Sequence, residues 1–232
     1  MFESDQTKGV KVPQWTNDIK GRIINLPDFD KNELTNPLYA DLCDIRRSIR
    51  NYKDKPITQK QLAFYLWSTQ GVIMTRSEIS TIRPVPSGGA RHPFETYFIA
   101  KNIEGLETGI YRYLPLENIG KKNVAIEYIQ AFDNHDSKIS RMLAGQEWAA
   151  TAPVVFIYTC VPYRAEWRYS TAAHRVMLID LGHLGQNAML SVAALGLGSC
   201  CMAAFDQEYC DKILNIDSIN EYTVYAISVG CI

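Results

Sequence analysis

The amino-acid sequence predicts an α+β domain, and three observations lead to that class. Segments 94–101, 109–113, 124–129, 153–161 and 222–229 are rich in Val, Ile, Tyr and Phe, which suit a pleated surface. Helical patterns occupy 38–48 and 58–70, ahead of those strands, and a long apolar helical stretch fills roughly 172–195, between the last two. Helices and strands therefore do not alternate strictly, which disfavours a doubly wound parallel sheet.

Each element has a local reason. Residues 1–36 hold Pro13, Trp15 and Pro27 with scattered apolar anchors and little periodicity. They read as an extended N-terminal arm lying on the domain or on a partner, and residues 37–232 as a single domain. The helix at 58–70 opens at Thr58 with Gln61 three residues on, a capping-box arrangement, and stops at Gly71. The loop Arg83-Pro84-Val85-Pro86-Ser87-Gly88-Gly89-Ala90-Arg91-His92-Pro93 follows. Its prolines fix the backbone, while Gly88 and Gly89 let main-chain N–H groups approach a flat or anionic ligand, with Ser87 and Arg91 as side-chain donors. A tight crossing from helix to strand would use the same residues, so the loop alone leaves both readings open.

The 172–195 stretch is interrupted by Asp180, His183, Gln186 and Asn187, too many polar groups for a membrane span, and fits a buried central helix. His183, at helical spacing from Asp180 and Asn187, reads as a buried, hydrogen-bonded residue fixing helix packing at a seam between two copies. From Leu195 to Asp206 the chain gives a glycine turn, a strand-like run and a new helix capped by Asp206. Ala203 and Ala204 leave the backbone unobstructed against a planar group. The Gly-x-Gly here lacks the third glycine and preceding strand of a dinucleotide fingerprint, so a Rossmann site is disfavoured.

Hydrophobic residues at 47% and charged residues at 21% are ordinary globular values. Lys+Arg 24 against Asp+Glu 25 argues against nucleic acid or a membrane surface as partner. The six cysteines show neither CxxC nor zinc spacing, so no metal site is expected. With no apolar signal region at the N-terminus, a reducing cytoplasm is the simplest setting. Positive charge is concentrated rather than abundant. Arg46-Arg47-Ser48-Ile49-Arg50 gathers three guanidinium groups and a hydroxyl where an amphipathic segment gives way to a turn. That grouping matches a bound phosphate, and it equally matches a solvated basic helix end.

Taken in order, these segments resemble the nitroreductase-like FMN-dependent superfamily, and within it the SagB-type dehydrogenase branch. The matching pieces are Arg-Arg-Ser-Ile-Arg-Asn-Tyr at 46–52, Leu66-Trp67 with Gln70-Gly71, and the loop from Arg83 to Pro93. Gly109-Ile110-Tyr111-Arg112-Tyr113, Asp180-Leu181-Gly182-His183-Leu184-Gly185-Gln186-Asn187 and the Leu-Gly-Leu-Gly-Ser-Cys run complete the set. The resemblance implies a central, mainly antiparallel sheet flanked by helices in an intertwined homodimer, with FMN held between subunits. By similarity, Arg46, Arg47, Ser48 and Arg50 hold the phosphate, the ribityl chain and the pyrimidine edge. Pro86, Ser87 and Gly88 would come from the other subunit, with Arg91 as a further phosphate partner. The Ala203–Ala204 backbone would face N5 and O4, and Gln146 the ring edge.

The implied chemistry is hydride transfer through flavin N5, with NADH or NADPH as donor and a small planar acceptor such as a nitroaromatic or quinone. SagB-type enzymes instead oxidise azoline rings in modified peptides with a Lys-Tyr pair, matched here by Arg168-Tyr169. Tyr169 is retained, but an arginine does not serve as the general base a lysine can. The dipeptide would otherwise belong to a surface or interface loop. A flavin-binding scaffold without significant turnover is a further alternative. Members of the wider superfamily often reach the phosphate with basic C-terminal residues, and the sequence here ends at Gly230-Cys231-Ile232 without them.

Overall fold

A computed structural model describes residues 3–232. Its frame is a seven-stranded sheet in the order β1-β6-β5-β4-β7-β9-β8. The strands are β1 (Arg22–Asn25), β4 (Phe94–Ala100), β5 (Gly109–Leu114), β6 (Ala125–Ala131), β7 (Val154–Cys160), β8 (Leu197–Met202) and β9 (Tyr222–Cys231). Every neighbouring pair is antiparallel. A separate hairpin joins β2 (Met74–Ser77) to β3 (Ser80–Ile82).

Six α-helices cover the sheet: α1 (Tyr39–Ile45), α2 (Gln59–Gln70), α3 (His135–Met142), α4 (Tyr163–Tyr169), α5 (Ala173–Ala194) and α6 (Gln207–Leu214). One sheet face, with Phe98, Tyr111, Phe156 and Tyr158, packs under α2 and α5 through Leu62, Leu66, Leu184 and Ala188. Tyr65 stacks on Phe156 with ring centroids 3.9 Å apart, and its hydroxyl meets that of Tyr158 at 2.8 Å. The other face, with Ile99, Ile110, Ile157 and Ala226, packs under α3, α6 and a 3-10 turn at Glu147–Thr151. Two apolar faces each covered by helices give the α+β class.

The capping box is present: Gln61 N–H donates to Thr58 Oγ1 at 3.1 Å, and Thr58 N–H to Gln61 Oε1 at 2.9 Å. Asp206 caps α6 by accepting from Tyr209 N–H at 3.0 Å. The stretch read as an arm contributes more than expected, since β1 adds an edge strand to β6. The rest of the arm is laid over the sheet end by buried charges. Arg164 pairs with Glu95 at 2.6 Å and Arg112 with Glu127 at 2.7 Å. Arg164 also donates to Gln14 O at 3.0 Å and Asn17 Oδ1 at 2.9 Å.

His183 is exposed on the outer side of α5, a surface that a second copy would have to cover for it to be buried. One correction concerns Arg168 and Tyr169, which end helix α4 rather than lie in a loop. Among the described residues, no helix is long and apolar enough to cross a membrane.

Candidate functional site

The arginine cluster begins where α1 stops. Arg46 is the C-cap of that helix, its N–H bonded to Leu42 O at 2.9 Å. The chain then runs against β8, where Ser48 bridges Ser199 and Ile49 N–H donates to Ser199 O at 2.9 Å. Gly198 makes this approach possible. A Cβ there would lie 2.8 Å from Ile49 Cγ2 and would also strike Ile232. Tyr52 fastens the other end, its hydroxyl 2.7 Å from Ser228 Oγ and donating to Ile49 O at 2.8 Å. Burial pushes that hydroxyl's pKa well above the usual phenol range.

So fixed, the segment presents its guanidinium groups outward. Arg46 is half-buried against Met189 Sδ at 3.7 Å; Arg47 and Arg50 are exposed. Arg50 lies over the Trp148 ring at 5.5 Å. Among the described residues, no carboxylate oxygen comes within 4.0 Å of any of the three. Three unneutralised cations within five residues repel one another unless an anion joins them. Ala203 and Ala204 follow β8 and are exposed. Gln146, two residues before Trp148, donates to Ala204 O at 3.0 Å and Leu143 O at 2.9 Å, holding that bend. Ser48 is thus tied to β8, Arg50 to Trp148 and Gln146 to the Ala203–Ala204 bend that follows β8, with Arg46 and Arg47 next to Ser48 in the chain.

A second cluster gathers at the other end of α5. Ser87 Oγ donates to Asp180 Oδ2 at 2.6 Å, Gly88 N–H donates to Asp180 Oδ1 at 3.0 Å, and Ser87 Oγ accepts from His92 N–H at 2.9 Å. Asp180 is therefore the latch of the loop, and its burial holds the carboxyl above the usual range. Sequence reading placed Asp180 on the helix without this role. The available signal was a carboxylate in an apolar helix paired with a Ser-Gly loop of free donors. Pro86 is exposed beside the latch. Gly89 has φ +58°, and a Cβ there would lie 2.5 Å from Arg168 Nε and 2.8 Å from Tyr169 Oη. The loop and the Arg168-Tyr169 dipeptide, separate in sequence, meet here.

Arg91 does not join either cluster, which corrects its assignment as a phosphate ligand. It is 2% exposed, donates to Arg164 O at 3.0 Å and to Ile79 O, and packs over the Trp167 ring at 4.9 Å. His92 is likewise buried, its pKa pushed down to about 2 by burial first and then by Arg83, so it stays neutral at ordinary pH.

The two clusters meet α5 at Met189 and Asp180. Nine residues are about two and a half turns and roughly 13 Å, so these contacts lie on opposite sides of the helix. Within one chain the clusters do not face a common space. A cavity of about 600 Å³ lies elsewhere, under the arm beside Tyr97, Arg112, Glu127 and Glu221, and touches none of the expected site residues.

A family model described as the nitroreductase family matches residues 45–231. "Putative nitroreductase MJ1384" of Methanocaldococcus jannaschii is 30% identical over 207 residues, which is 89% of this chain and 95% of that protein. The trifolitoxin-processing protein TfxB of Rhizobium leguminosarum bv. trifolii is 31% identical over 150 residues, 63% of this chain and 39% of its own length. The microcin B17-processing protein McbC of Escherichia coli is 29% identical over 143 residues, 60% of this chain and 50% of its own length. Among solved structures, a "putative nitroreductase" from Ralstonia eutropha JMP134 superposes with TM-score 0.70 at 21% identity, covering 90% of this chain and 89% of that one. At that identity the likeness speaks for the fold.

Proposed function

The chain belongs to the nitroreductase family, and from that premise we propose that it is an FMN-dependent oxidoreductase taking electrons from NADH or NADPH to a small planar acceptor such as a nitroaromatic or quinone. The observation that carries this reading is the unpaired Arg46-Arg47-Arg50 group beside an exposed Ala203–Ala204 bend. A phosphate supplies the missing counter-charge, and two alanines admit a flat ring close to backbone, so the residues fit FMN.

When bound, FMN supplies two-electron chemistry at its N5. The protein's share is placement and field. Arg46, Arg47 and Ser48 bind the phosphate and ribityl chain. Arg50, held over Trp148, keeps a fixed positive charge for the pyrimidine edge, where it favours the electron-rich form. Gln146 holds the Ala203–Ala204 bend open toward the ring. Pro86, Ser87 and Gly88, latched by Asp180, serve the site of a second copy. The opposed placement of the clusters on α5 supports a homodimer, as do Leu178 at 71% and Ile179 at 53% exposure just ahead of Asp180. In this scheme residues 37–232 are the flavin domain and residues 1–36 its arm.

A second reading is favoured by the meeting of Tyr169 with Gly89 and by the similarity to McbC and TfxB. It is a SagB-type dehydrogenase acting on a ring in a modified peptide. Arg168 in place of a lysine ranks it below the first, because a guanidinium keeps its proton. Anaerobic mixing of the FMN-loaded protein with NADH and then NADPH tests the choice. Bleaching of the flavin absorbance within seconds supports the reductase. A retained flavin that neither nucleotide bleaches supports the dehydrogenase. A protein that takes up no FMN refutes both and leaves a scaffold without bound cofactor.

A further inference from the structure

We propose that the N-terminal arm clamps helix α4, and that Gln6 is a positioning residue for Arg168. The proposal rests on the first reading above only for the role of the Pro86–Gly88 loop, beside which Arg168 packs at Gly89. Helix α4 has seven residues, no side-chain cap at Pro162, and a C-cap at Ser170 with φ +47°. A helix of two turns does not hold itself in water. The Arg164–Glu95 pair and the Arg91 bond to Arg164 O hold its inner side, and the arm holds the rest.

Six hydrogen bonds run between residues 5–17 and α4. Tyr163 Oη donates to Asp5 Oδ2 at 3.0 Å. Arg164 donates to Gln14 O at 3.0 Å and to Asn17 Oδ1 at 2.9 Å. Trp167 Nε1 donates to Val10 O at 2.8 Å. Gln6 makes the remaining two on consecutive residues: its N–H donates to Trp167 O at 2.9 Å, and its Oε1 accepts from Arg168 Nη1 at 3.1 Å.

Gln6 is itself held in place. Ser4 N–H donates to Thr7 Oγ1 at 3.0 Å and Thr7 Oγ1 to Ser4 O at 2.8 Å, closing a tight turn around it. Among the described residues, Gln6 Oε1 is the one acceptor that Arg168 bonds, and no carboxylate comes within 4.0 Å of that arginine. Beyond that bond the Arg168 stem lies along Gly89, and its guanidinium is 5.7 Å from the Tyr169 ring. The arm therefore sets where the Arg168 charge sits relative to the Ser87–Gly89 loop, from a point in sequence more than 160 residues away.

Hydrogen exchange on the full chain, native and Gln6→Ala and Gln6→Glu, tests the clamp directly. Exchange over residues 163–169 should be about five- to tenfold faster in Gln6→Ala, with native protection in Gln6→Glu, which keeps an acceptor at the same reach. With FMN loaded and NADPH and 1,4-benzoquinone as probes, Gln6→Ala should lower kcat by about three- to tenfold. KM for NADPH, flavin content and Tm should stay native, and Gln6→Glu should recover kcat. Unchanged exchange over 163–169 in Gln6→Ala overturns the part of the clamp assigned to the Gln6 side chain. A kcat loss that follows Tm or flavin content, or that Gln6→Glu does not recover, overturns the positioning role. Failure to take up FMN would refute the proposed function, while the exchange result would still decide the clamp.

Discussion

Truncating Asp180 should loosen the 86–92 loop more than any other single change in the second cluster. Its carboxylate, 4% exposed, accepts from Ser87 Oγ at 2.6 Å and Gly88 N–H at 3.0 Å. Asp180→Ala leaves both donors without an acceptor, at about 1–3 kcal/mol for each one buried. Both residues are half-buried, so water recovers part, and about 2–4 kcal/mol is expected in total. For a domain of this size that lowers Tm by roughly 5–15 °C. Asp180→Asn keeps an acceptor oxygen and the shape. Because burial outweighs the hydrogen bonds and holds the native carboxyl above its ordinary value, a neutral isostere is tolerated better, at about 1 kcal/mol.

The pH dependence has a definite sign. A carboxyl raised in the folded state gives stability fully present below its unfolded pKa and lost as pH rises through the folded one. The gap between native protein and Asp180→Asn should therefore be widest in acid and narrow above the ordinary carboxylate range. Thermal melts from pH 3 to 7, on all three proteins, measure it. Two variants that melt within a degree of native would refute the latch, and a gap that widens with rising pH would refute the raised carboxyl.

Three further outcomes are expected. Arg46→Ala with Arg50→Ala should weaken FMN binding at least about tenfold by fluorescence titration, since charge-assisted bonds contribute ~1.5–3 kcal/mol each, while riboflavin, without the phosphate, should be affected much less. Gly198→Ala should push Ile49 off β8 and cost about 1–3 kcal/mol in chemical denaturation, with weaker FMN binding following, because its Cβ would meet Ile49 at 2.8 Å. Arg164→Met should cost about 3–5 kcal/mol by the same method, as it leaves Glu95 as a buried charge without its partner, and the double change with Glu95→Gln should recover much of that loss.

Much of this architecture is legible in the chain because the signals are local. Strands β4 and β7 are runs of mostly apolar and aromatic residues buried along their whole length, and Thr58 with Gln61 marks the start of α2. What escaped lacks such signals. Strand β1 has two isoleucines between Gly21 and Pro27, and is a strand only because β6 offers an edge more than 100 residues away. All of β2 is exposed, so no alternation betrays it, and α3 and α4 start without a side-chain cap.

The site divides in the same way. Its arginines and alanines were visible as residue types at telling positions. Arg91 sits in the same glycine-rich loop, yet its side chain turned inward to carbonyls and Trp167, a choice made by packing. Asp180 and Gln6 act through partners about 90 and 160 residues distant, which no local pattern encodes.

Strand β9, last in the chain, lies between β7 and β8. On the ribosome, β8 emerges earlier but has no neighbour in the sheet until residues 222–231 have followed it out of the exit tunnel. Ser199, the seat for Ser48, cannot be set before then. The seat of the arginine segment is therefore among the last parts of the sheet to be built, since it waits on the strand that joins β8 to the rest.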